Sequence, residues 1–219
     1  MSPKFVFPLA AEKLNLLDVN RYFNLEYREN YSEWLDNLPH LTESEIKQLD
    51  RIKSNFIYLS QRNALQEIVK MVVLSPLLDM AGFYEPPFHT IAERPVNLSI
   101  KDRKFTVRGR MDILVIQNQF WVLVVESKRS GISLELAIPQ VLTYMNVSPK
   151  NQVCYGLVTN GTHFTFMKLL RDEGKYSFSE EFSISRRTNE LQQVLQIMKR
   201  LAKEFGTKVP STNGQLVES

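Results

Sequence analysis

The chain has 219 residues, of which 43% are hydrophobic and 23% are charged. The length suits one domain, and the composition is ordinary for a soluble globular protein, so collagen-like and low-complexity classes are excluded. No GxxxxGK[ST] phosphate-binding loop occurs, which excludes a P-loop ATP site within these residues.

Charge and cysteine usage set further bounds. The 27 Lys and Arg exceed the 24 Asp and Glu by three, and this mild excess permits a polyanionic partner without requiring one. Cys154 is the single cysteine, which excludes an intramolecular disulfide and a Cys-based zinc site and fits a reducing compartment.

The longest apolar run, residues 120–125, is far shorter than a membrane span of roughly 20 residues, and no signal peptide is indicated. We therefore expect a cytoplasmic protein without membrane association.

The N-terminal part of the sequence predicts helices. An irregular lead-in precedes aromatic residues at helical spacing in residues 17–38. A capping-box signature opens a helix over residues 42–59, and a second helix is predicted over about 63–73, where Pro76 breaks or restarts it. We expect residues 1–60 to form a helical extension packed on the core.

Beyond residue 87 the hydrophobic period shortens, which predicts strands. The strand at residues 120–126 is apolar on both faces and should be central in its sheet. We expect an α/β fold, with a central mixed sheet flanked by helices, a core over 61–206 that ends in a helix, and a polar, disordered tail over 207–219. The predicted elements are strands at 88–100, 105–116, 120–126, 151–159 and 162–169, turns at 101–104, 117–119 and 160–161, and helices at 133–145, where the chain crosses over, and from 188 or 189 to 206.

One predicted hairpin stands out by its charged residues. Asp112 lies on its first strand, and Glu126 and Lys128 follow the apolar run of its second. Side chains alternate along a strand, so Glu126 and Lys128 point to one side, and the turn places Asp112 roughly opposite Val125 or Glu126. Paired carboxylates repel unless a cation lies between them, and their oxygens suit Mg²⁺ or Mn²⁺. A neighbouring lysine could orient a water or neutralise charge on a phosphate. The alternative is a strand end that emerges into solvent.

The Glu-x-Lys spacing has little weight alone. An acid two residues before a lysine occurs at 45–47, 102–104, 126–128 and 173–175. Only 126–128 ends a six-residue apolar run, and only this pair has an upstream aspartate at hairpin distance. The other three are expected to be solvated helix surface or polar turns.

Two helices supply further polar residues. Gln140 and Tyr144 lie four residues apart and so share one face of the helix that follows the hairpin. Glu67 lies on the helix before the sheet. Taken alone, the first pair also fits a polar helix face with Tyr144 half-buried, and Glu67 fits an exposed helix glutamate.

These residues together resemble the PD-(D/E)xK nuclease superfamily, whose members share a restriction-endonuclease-like core. The hairpin signature corresponds to Asp112 with Glu126-Ser127-Lys128, and the QxxxY signature of the RecB-like branch corresponds to residues 140–144. Over residues 15–205 the chain resembles short bacterial, often cyanobacterial, proteins related to the N-terminal nuclease domain of type I restriction enzyme R subunits. Met111 stands where the family usually has proline, and the helicase region of the R subunit is absent.

The resemblance implies hydrolysis of DNA phosphodiesters with Mg²⁺, for which Mn²⁺ can substitute. Asp112, Glu126 and the Ser127 carbonyl would bind the metal. Lys128 would position the attacking water and stabilise the transition state. Glu67 would complete the acidic site or hold a second metal.

Further positions carry over to the same site. The family also has an acidic residue on the helix before the sheet, and Gln66, Glu85 and Glu93 are alternatives to Glu67 for that position. Gln140 and Tyr144 would face the site and help to place DNA.

Three arginines flank the hairpin motif. Arg108, Arg110 and Arg129 are candidates for phosphate contacts, and the alternative for each is ordinary surface charge.

The leading hypothesis is a Mg²⁺-dependent DNA endonuclease, which would often need a homodimer or a protein partner to cut both strands. One alternative is a non-catalytic DNA-binding or accessory subunit of a restriction, defence or repair complex. Another is a protein-interaction domain that uses the aromatic segment around Tyr22, Tyr31 and Trp34.

Overall fold

A computed structural model describes residues 7–29, 32–61, 66–99, 105–118, 120–148 and 152–206. The turn expected at 101–104 and the tail expected at 207–219 lie outside these residues, as do the first residues of the helix expected from 63 and of the strand expected from 151. Within the described residues, no helix combines the length and apolar character needed to cross a membrane.

The described helices and strands follow the predicted order from residue 42 to residue 170, but two short strands outside the predicted elements, Lys175–Phe178 and Phe182–Ser183, precede the last helix. Short 3₁₀ turns occur at Ala11–Lys13, Ser32–Leu35 and Leu134–Leu136, and a π-helical turn at Lys70–Leu74. The elements are β1 (Phe7–Ala10), α1 (Leu16–Phe23), β2 (Glu26–Tyr27), α2 (Glu43–Ser60), α3 (Gln66–Val69), α4 (Ser75–Met80), β3 (Phe88–Ser99), β4 (Phe105–Gln117), β5 (Phe120–Ser127), α5 (Ile138–Asn146), β6 (Val153–Thr159), β7 (His163–Leu170), β8 (Lys175–Phe178), β9 (Phe182–Ser183) and α6 (Leu191–Gly206).

The described strands form one mixed sheet. Its order is β1-β4-β5-β6-β7-β8-β2, with β3 also paired to β4 and β9 to β7. The β4–β5 and β6–β7 pairs are antiparallel, whereas β5 and β6 are parallel and are connected through α5. The expected crossover helix and the central position of β5 are therefore confirmed.

Helices cover both faces of the sheet, as predicted for an α/β fold. One core contains Phe56 of α2, Leu77 of α4 and Leu201 of α6. The other contains Val19 of α1 and Val141 of α5. Because β5 contributes side chains to both cores, it carries an apolar run without alternation.

The N-terminal segment differs from expectation because short strands interrupt its helices. β1 pairs in parallel with β4, and β2 pairs in parallel with β8. Strands of four and two residues are too short for a periodic pattern, and their partners lie far away in the sequence. Pro76 does not end the helical stretch, because residues 66–80 are helical throughout; the restart is a change from the π-helical turn Lys70–Leu74 to α4, whose first turn contains Pro76.

Candidate active site

The β4–β5 hairpin brings Asp112 beside Glu126. Ile113 lies opposite Val125, so the next position along the ladder places Asp112 against Glu126. Ser127 holds the Asp112 carboxylate in place, because its backbone N–H and its hydroxyl donate to Asp112 Oδ2 at 2.7 and 2.8 Å. Asp112 is 7% exposed and Glu126 3%, which rules out a strand end that emerges into solvent.

Asp112 has additional partners on the helix before the sheet. Gln66 Nε2 donates to Asp112 Oδ1 and Oδ2 at 3.0 and 2.9 Å. Lys70 Nζ lies 2.8 Å from Asp112 Oδ1. A buried carboxylate needs donors to replace water, and Gln66, Lys70 and Ser127 supply them.

Glu126 is held on its other side by a lysine and a glutamine. Lys128 Nζ donates to Glu126 Oε1 at 2.7 Å and to Gln140 Oε1 at 3.2 Å. Glu126 Oε2 is buried and has no hydrogen-bond partner among the described residues. Burial, and then the nearby charge of Asp112, raises the pKa of Glu126 to about 7, against the opposing effect of Lys128. The site therefore has an oxygen that a cation could satisfy.

Tyr144 connects α5 to the middle of β4. Its hydroxyl accepts from the Arg110 N–H at 3.0 Å and donates to the Arg110 carbonyl at 3.1 Å, and Gln140 Nε2 lies 3.2 Å away. Tyr144 is completely buried, so the half-buried alternative is wrong. Burial raises the pKa of Tyr144 to about 12, which keeps the phenol protonated as a donor. An ideal Cβ on Gly109 would lie 2.3 Å from the Tyr144 hydroxyl, so the tyrosine can sit there only against a glycine.

Glu93 and Lys70 complete the charged cluster. On β3, Ala92 pairs with Ile113 and Arg94 with Met111, so the unpaired Glu93 between them lies at the level of Asp112. Glu93 has a left-handed φ of 53°, a conformation uncommon for residues other than glycine.

Lys70 bridges the two carboxylates on neighbouring strands. Lys70 Nζ contacts both Glu93 and Asp112. Burial by itself lowers the pKa of Lys70, but hydrogen bonds with Asp112 and Glu93 outweigh it and raise that pKa. Lys70 is therefore held as a cation.

Most residues of the predicted site come together in the structure. Ser127 is hydrogen-bonded to Asp112, and Glu126, Lys128, Gln140 and Tyr144 form an adjacent hydrogen-bonded group. Glu67 is exposed, and the helix directs Gln66 and Lys70 to Asp112 instead. The sequence signal that could have revealed this face is the i, i+4 spacing of a glutamine and a lysine in front of a Pro-restarted helix.

The three arginines expected to bind phosphate are exposed. Arg108 and Arg110 lie two residues apart on β4, and Arg129 follows β5 directly. Arg110 Nη1 also lies 3.6 Å from Glu93 Oε2. Arg108 and Arg110 are on the strand that carries Asp112, so both can approach a phosphate near the carboxylates.

The donor set fits a hydrated Mg²⁺ better than a closed metal cage. In the part of the chain that the structure describes, no three His, Cys, Asp or Glu side chains form a group that could hold a metal ion. Mg²⁺ commonly takes one or two protein carboxylates and keeps several waters. Asp112 and Glu126 can provide those carboxylates, and the unpartnered Glu126 Oε2 is an available ligand atom.

A largely apolar groove opens next to this cluster. It has a volume of about 900 Å³ and is lined by Leu14, Ile132, Leu136 and Phe178 together with Lys128 and Gln140. Lys128 can therefore be approached from solvent through this groove.

Comparison with known proteins identifies the family to which the chain belongs. The family model for the type I restriction enzyme R protein N terminus matches residues 66–183, which contain the whole cluster. A fragment described as an HsdR subunit of a type I restriction enzyme from Vibrio vulnificus YJ016 is 18% identical, with a TM-score of 0.40. The alignment covers 65% of this chain and 26% of that one, so the chain spans about a quarter of that protein.

The crystal structure of SSO0001 is 15% identical, with a TM-score of 0.25, and the alignment covers 76% of this chain and 77% of that one. No curated protein sequence matches significantly. Both TM-scores are below 0.5, so the assignment rests on the family model, which spans more than half of the sequence. The chain therefore belongs to the family of type I restriction enzyme R protein N-terminal domains.

Proposed function

We propose that this domain is a Mg²⁺-dependent nuclease that hydrolyses phosphodiester bonds of DNA. The observation that carries the proposal is the buried pair of Asp112 and Glu126, with Lys128 bound to one oxygen of Glu126 and the other oxygen unpartnered. Membership of a restriction enzyme family supports a nuclease-like role.

Asp112, Glu126 and the Ser127 carbonyl would hold the metal, with water as the remaining ligands. When bound, Mg²⁺ supplies positive charge that polarises the scissile phosphate. The buried setting strengthens this effect, because electrostatic interactions are weakly screened away from bulk water.

Lys128 is the residue best placed to act on the attacking water and the phosphate. Its ammonium is held by Glu126 and Gln140 and is 24% exposed. A fixed ammonium can orient a water for attack and neutralise charge that develops on the phosphate oxygens. Hydrolysis joins the water oxygen to phosphorus and breaks one P–O bond, and the leaving oxygen takes up a proton.

Gln140 and Tyr144 would position Lys128 and the backbone of β4. Gln140 joins Lys128 to Tyr144, and Tyr144 fixes the backbone of β4 at Arg110. The exposed Arg108, Arg110 and Arg129 would contact the DNA backbone, which makes binding salt-dependent. Cleavage of both strands would call for a second copy of the domain or a protein partner.

The test is cleavage of supercoiled plasmid by the purified chain with Mg²⁺ or Mn²⁺, and with EDTA as the metal-free reference. We expect Asp112→Asn and Lys128→Met each to lower the cleavage rate by about 100-fold or more, because each removes charge that acts on the reacting phosphate. Circular dichroism checks that both variants fold.

Lys175→Met is the matched control. Lys175 follows Glu173 with the same spacing and pairs with it at 3.0 Å, but lies outside the cluster, so this variant should cleave normally. Cleavage by Lys128→Met at the wild-type rate would refute the mechanism. Salt-sensitive DNA binding without cleavage, unchanged in Lys128→Met, would instead identify a non-catalytic DNA-binding subunit.

A further inference from the structure

We propose that Lys70 competes with the divalent cation for Asp112, and that Glu93 is the alternative partner that receives Lys70 when the cation binds. This inference rests on the proposed metal-dependent function. It gives the site a built-in counter-ion, supplied by a lysine that lies outside the hairpin and QxxxY motifs.

The first step is the position of Lys70. Its ammonium lies 2.8 Å from Asp112 Oδ1, an oxygen that also accepts from Gln66 Nε2 at 3.0 Å. The other oxygen, Oδ2, already accepts from Ser127. A cation that binds Asp112 through Oδ1 must therefore displace Lys70 or share the oxygen with it at the cost of like-charge repulsion.

The second step is the charge around the two buried carboxylates. When Asp112 and Glu126 are both ionised, Lys70 and Lys128 balance them in number before any metal is added. A divalent ion therefore introduces an excess of positive charge at these carboxylates unless one of the two lysines moves away.

The third step is the place to which Lys70 can move. Glu93 already contacts Lys70 Nζ, and its side chain is 47% exposed, whereas Asp112 is buried. Lys70 can therefore leave Asp112 and keep a full ion pair at the solvent edge with a small displacement. The strand register places Glu93 at the level of Asp112, and its φ is left-handed, a conformation that tends to occur at functional sites.

The experiment measures Mn²⁺ binding to the full chain without DNA, by isothermal titration calorimetry. We expect Lys70→Met to bind Mn²⁺ on the order of tenfold more tightly, because the competing charge is gone. Lys70→Gln should shift affinity the same way and serves if the methionine variant folds poorly. We expect Glu93→Gln to bind several-fold more weakly, because Lys70 then has only Asp112 as its carboxylate partner.

A double-mutant cycle separates this exchange from general electrostatics. In the Lys70→Met background, Glu93→Gln should have little further effect, because Glu93 acts through Lys70. Equal weakening in both backgrounds, or unchanged affinity in both Lys70 variants, would overturn the inference. Lys47→Met is the control, since Lys47 is an exposed helix lysine paired only with Glu43 among the described contacts.

Asp112→Asn distinguishes the two proposals. If Mn²⁺ binding is lost in this variant but Lys70 variants bind as the wild type does, only the competition is refuted. If Asp112→Asn binds Mn²⁺ as the wild type does, the metal site itself is wrong, and both proposals fail.

Discussion

At the scale of single residues, Glu126 has the most unusual environment in the site. It ends an apolar strand, is 3% exposed, and has one oxygen without a partner. Burial and the charge of Asp112 raise its pKa to about 7 from an ordinary value of 4.5. An ionised carboxylate in such a place costs stability unless a cation compensates it, so the proposed metal would stabilise the site.

This pKa shift predicts how the stability of the metal-free protein depends on pH. A carboxyl group whose folded pKa is raised binds more protons in the native than in the unfolded state between about pH 4.5 and 7. Its contribution is therefore present at low pH and is lost as pH rises to about 7, by on the order of 3 kcal/mol.

Urea unfolding at pH 5 and pH 8 in EDTA measures this effect. Glu126→Gln cannot titrate, so the variant should gain stability over the wild type at pH 8 and lose that advantage at pH 5. An identical difference between wild type and variant at both pH values would contradict the assigned shift.

At the scale of elements, the pairing of β4 is interrupted next to Asp112. On the side opposite β3, β1 pairs with residues 105–108 and β5 pairs with residues 113–117. None of the described strands pairs with residues 109–111 on that side, and the Tyr144 hydroxyl bonds both the N–H and the carbonyl of Arg110. A side chain from α5 thus completes the sheet next to Asp112, so the helix and the strand that carries Asp112 are held together.

Gly109 lies in this interrupted stretch of β4, and a substitution there tests the contact between Tyr144 and Arg110. A Cβ at this position would lie 2.3 Å from the Tyr144 hydroxyl, so Gly109→Ala must displace Tyr144. We expect a loss of about 1–3 kcal/mol in the free energy of unfolding, measured with urea, and a lower cleavage rate.

Gly206→Ala is the matched control for this variant. Its Cβ would find nothing closer than 3.8 Å, so its stability and cleavage rate should stay near the wild-type values. If Gly109→Ala were as stable and active as Gly206→Ala, the bridge through Tyr144 would not matter for the site.

At the scale of the whole molecule, the N-terminal segment is part of the folded unit. Trp34 is 3% exposed and contacts Phe166 and Tyr155, with ring centroids 5.6 and 5.9 Å apart. β2 extends the sheet beyond β8, and β1 pairs with the first residues of β4. Burial of Trp34 removes it from any docking surface of the kind considered from sequence, and Tyr31 of that surface lies outside the described residues.

Trp34→Ala tests this integration. Loss of a large buried aromatic side chain should lower the free energy of unfolding by about 3–5 kcal/mol, measured with urea. Leu17→Ala is the comparison from the same segment, because Leu17 is 80% exposed and its loss should change stability by less than about 0.5 kcal/mol. Similar small effects of both substitutions would mean that the segment is not coupled to the core.

Much of the fold could be predicted from local pattern. The Thr42–Glu45 capping box opens α2, and the turn before β5 sets the hairpin register. These features depend on residues close together in the chain, where periodicity and capping chemistry act directly. β1 and β2 could not be predicted in this way, because each is stabilised by a strand more than 90 residues away.

The sequence by itself determined the α/β class, the charged hairpin with Asp112, Glu126 and Lys128, and the helix that carries Gln140 and Tyr144. These are set by local spacing and by a motif. Only the tertiary structure decided that Gln66 and Lys70, rather than Glu67, face Asp112, and that Glu93 lies beside it. The reason is physical: the rotation of a short helix and the pairing of remote strands depend on packing across the whole core, and no local spacing encodes them.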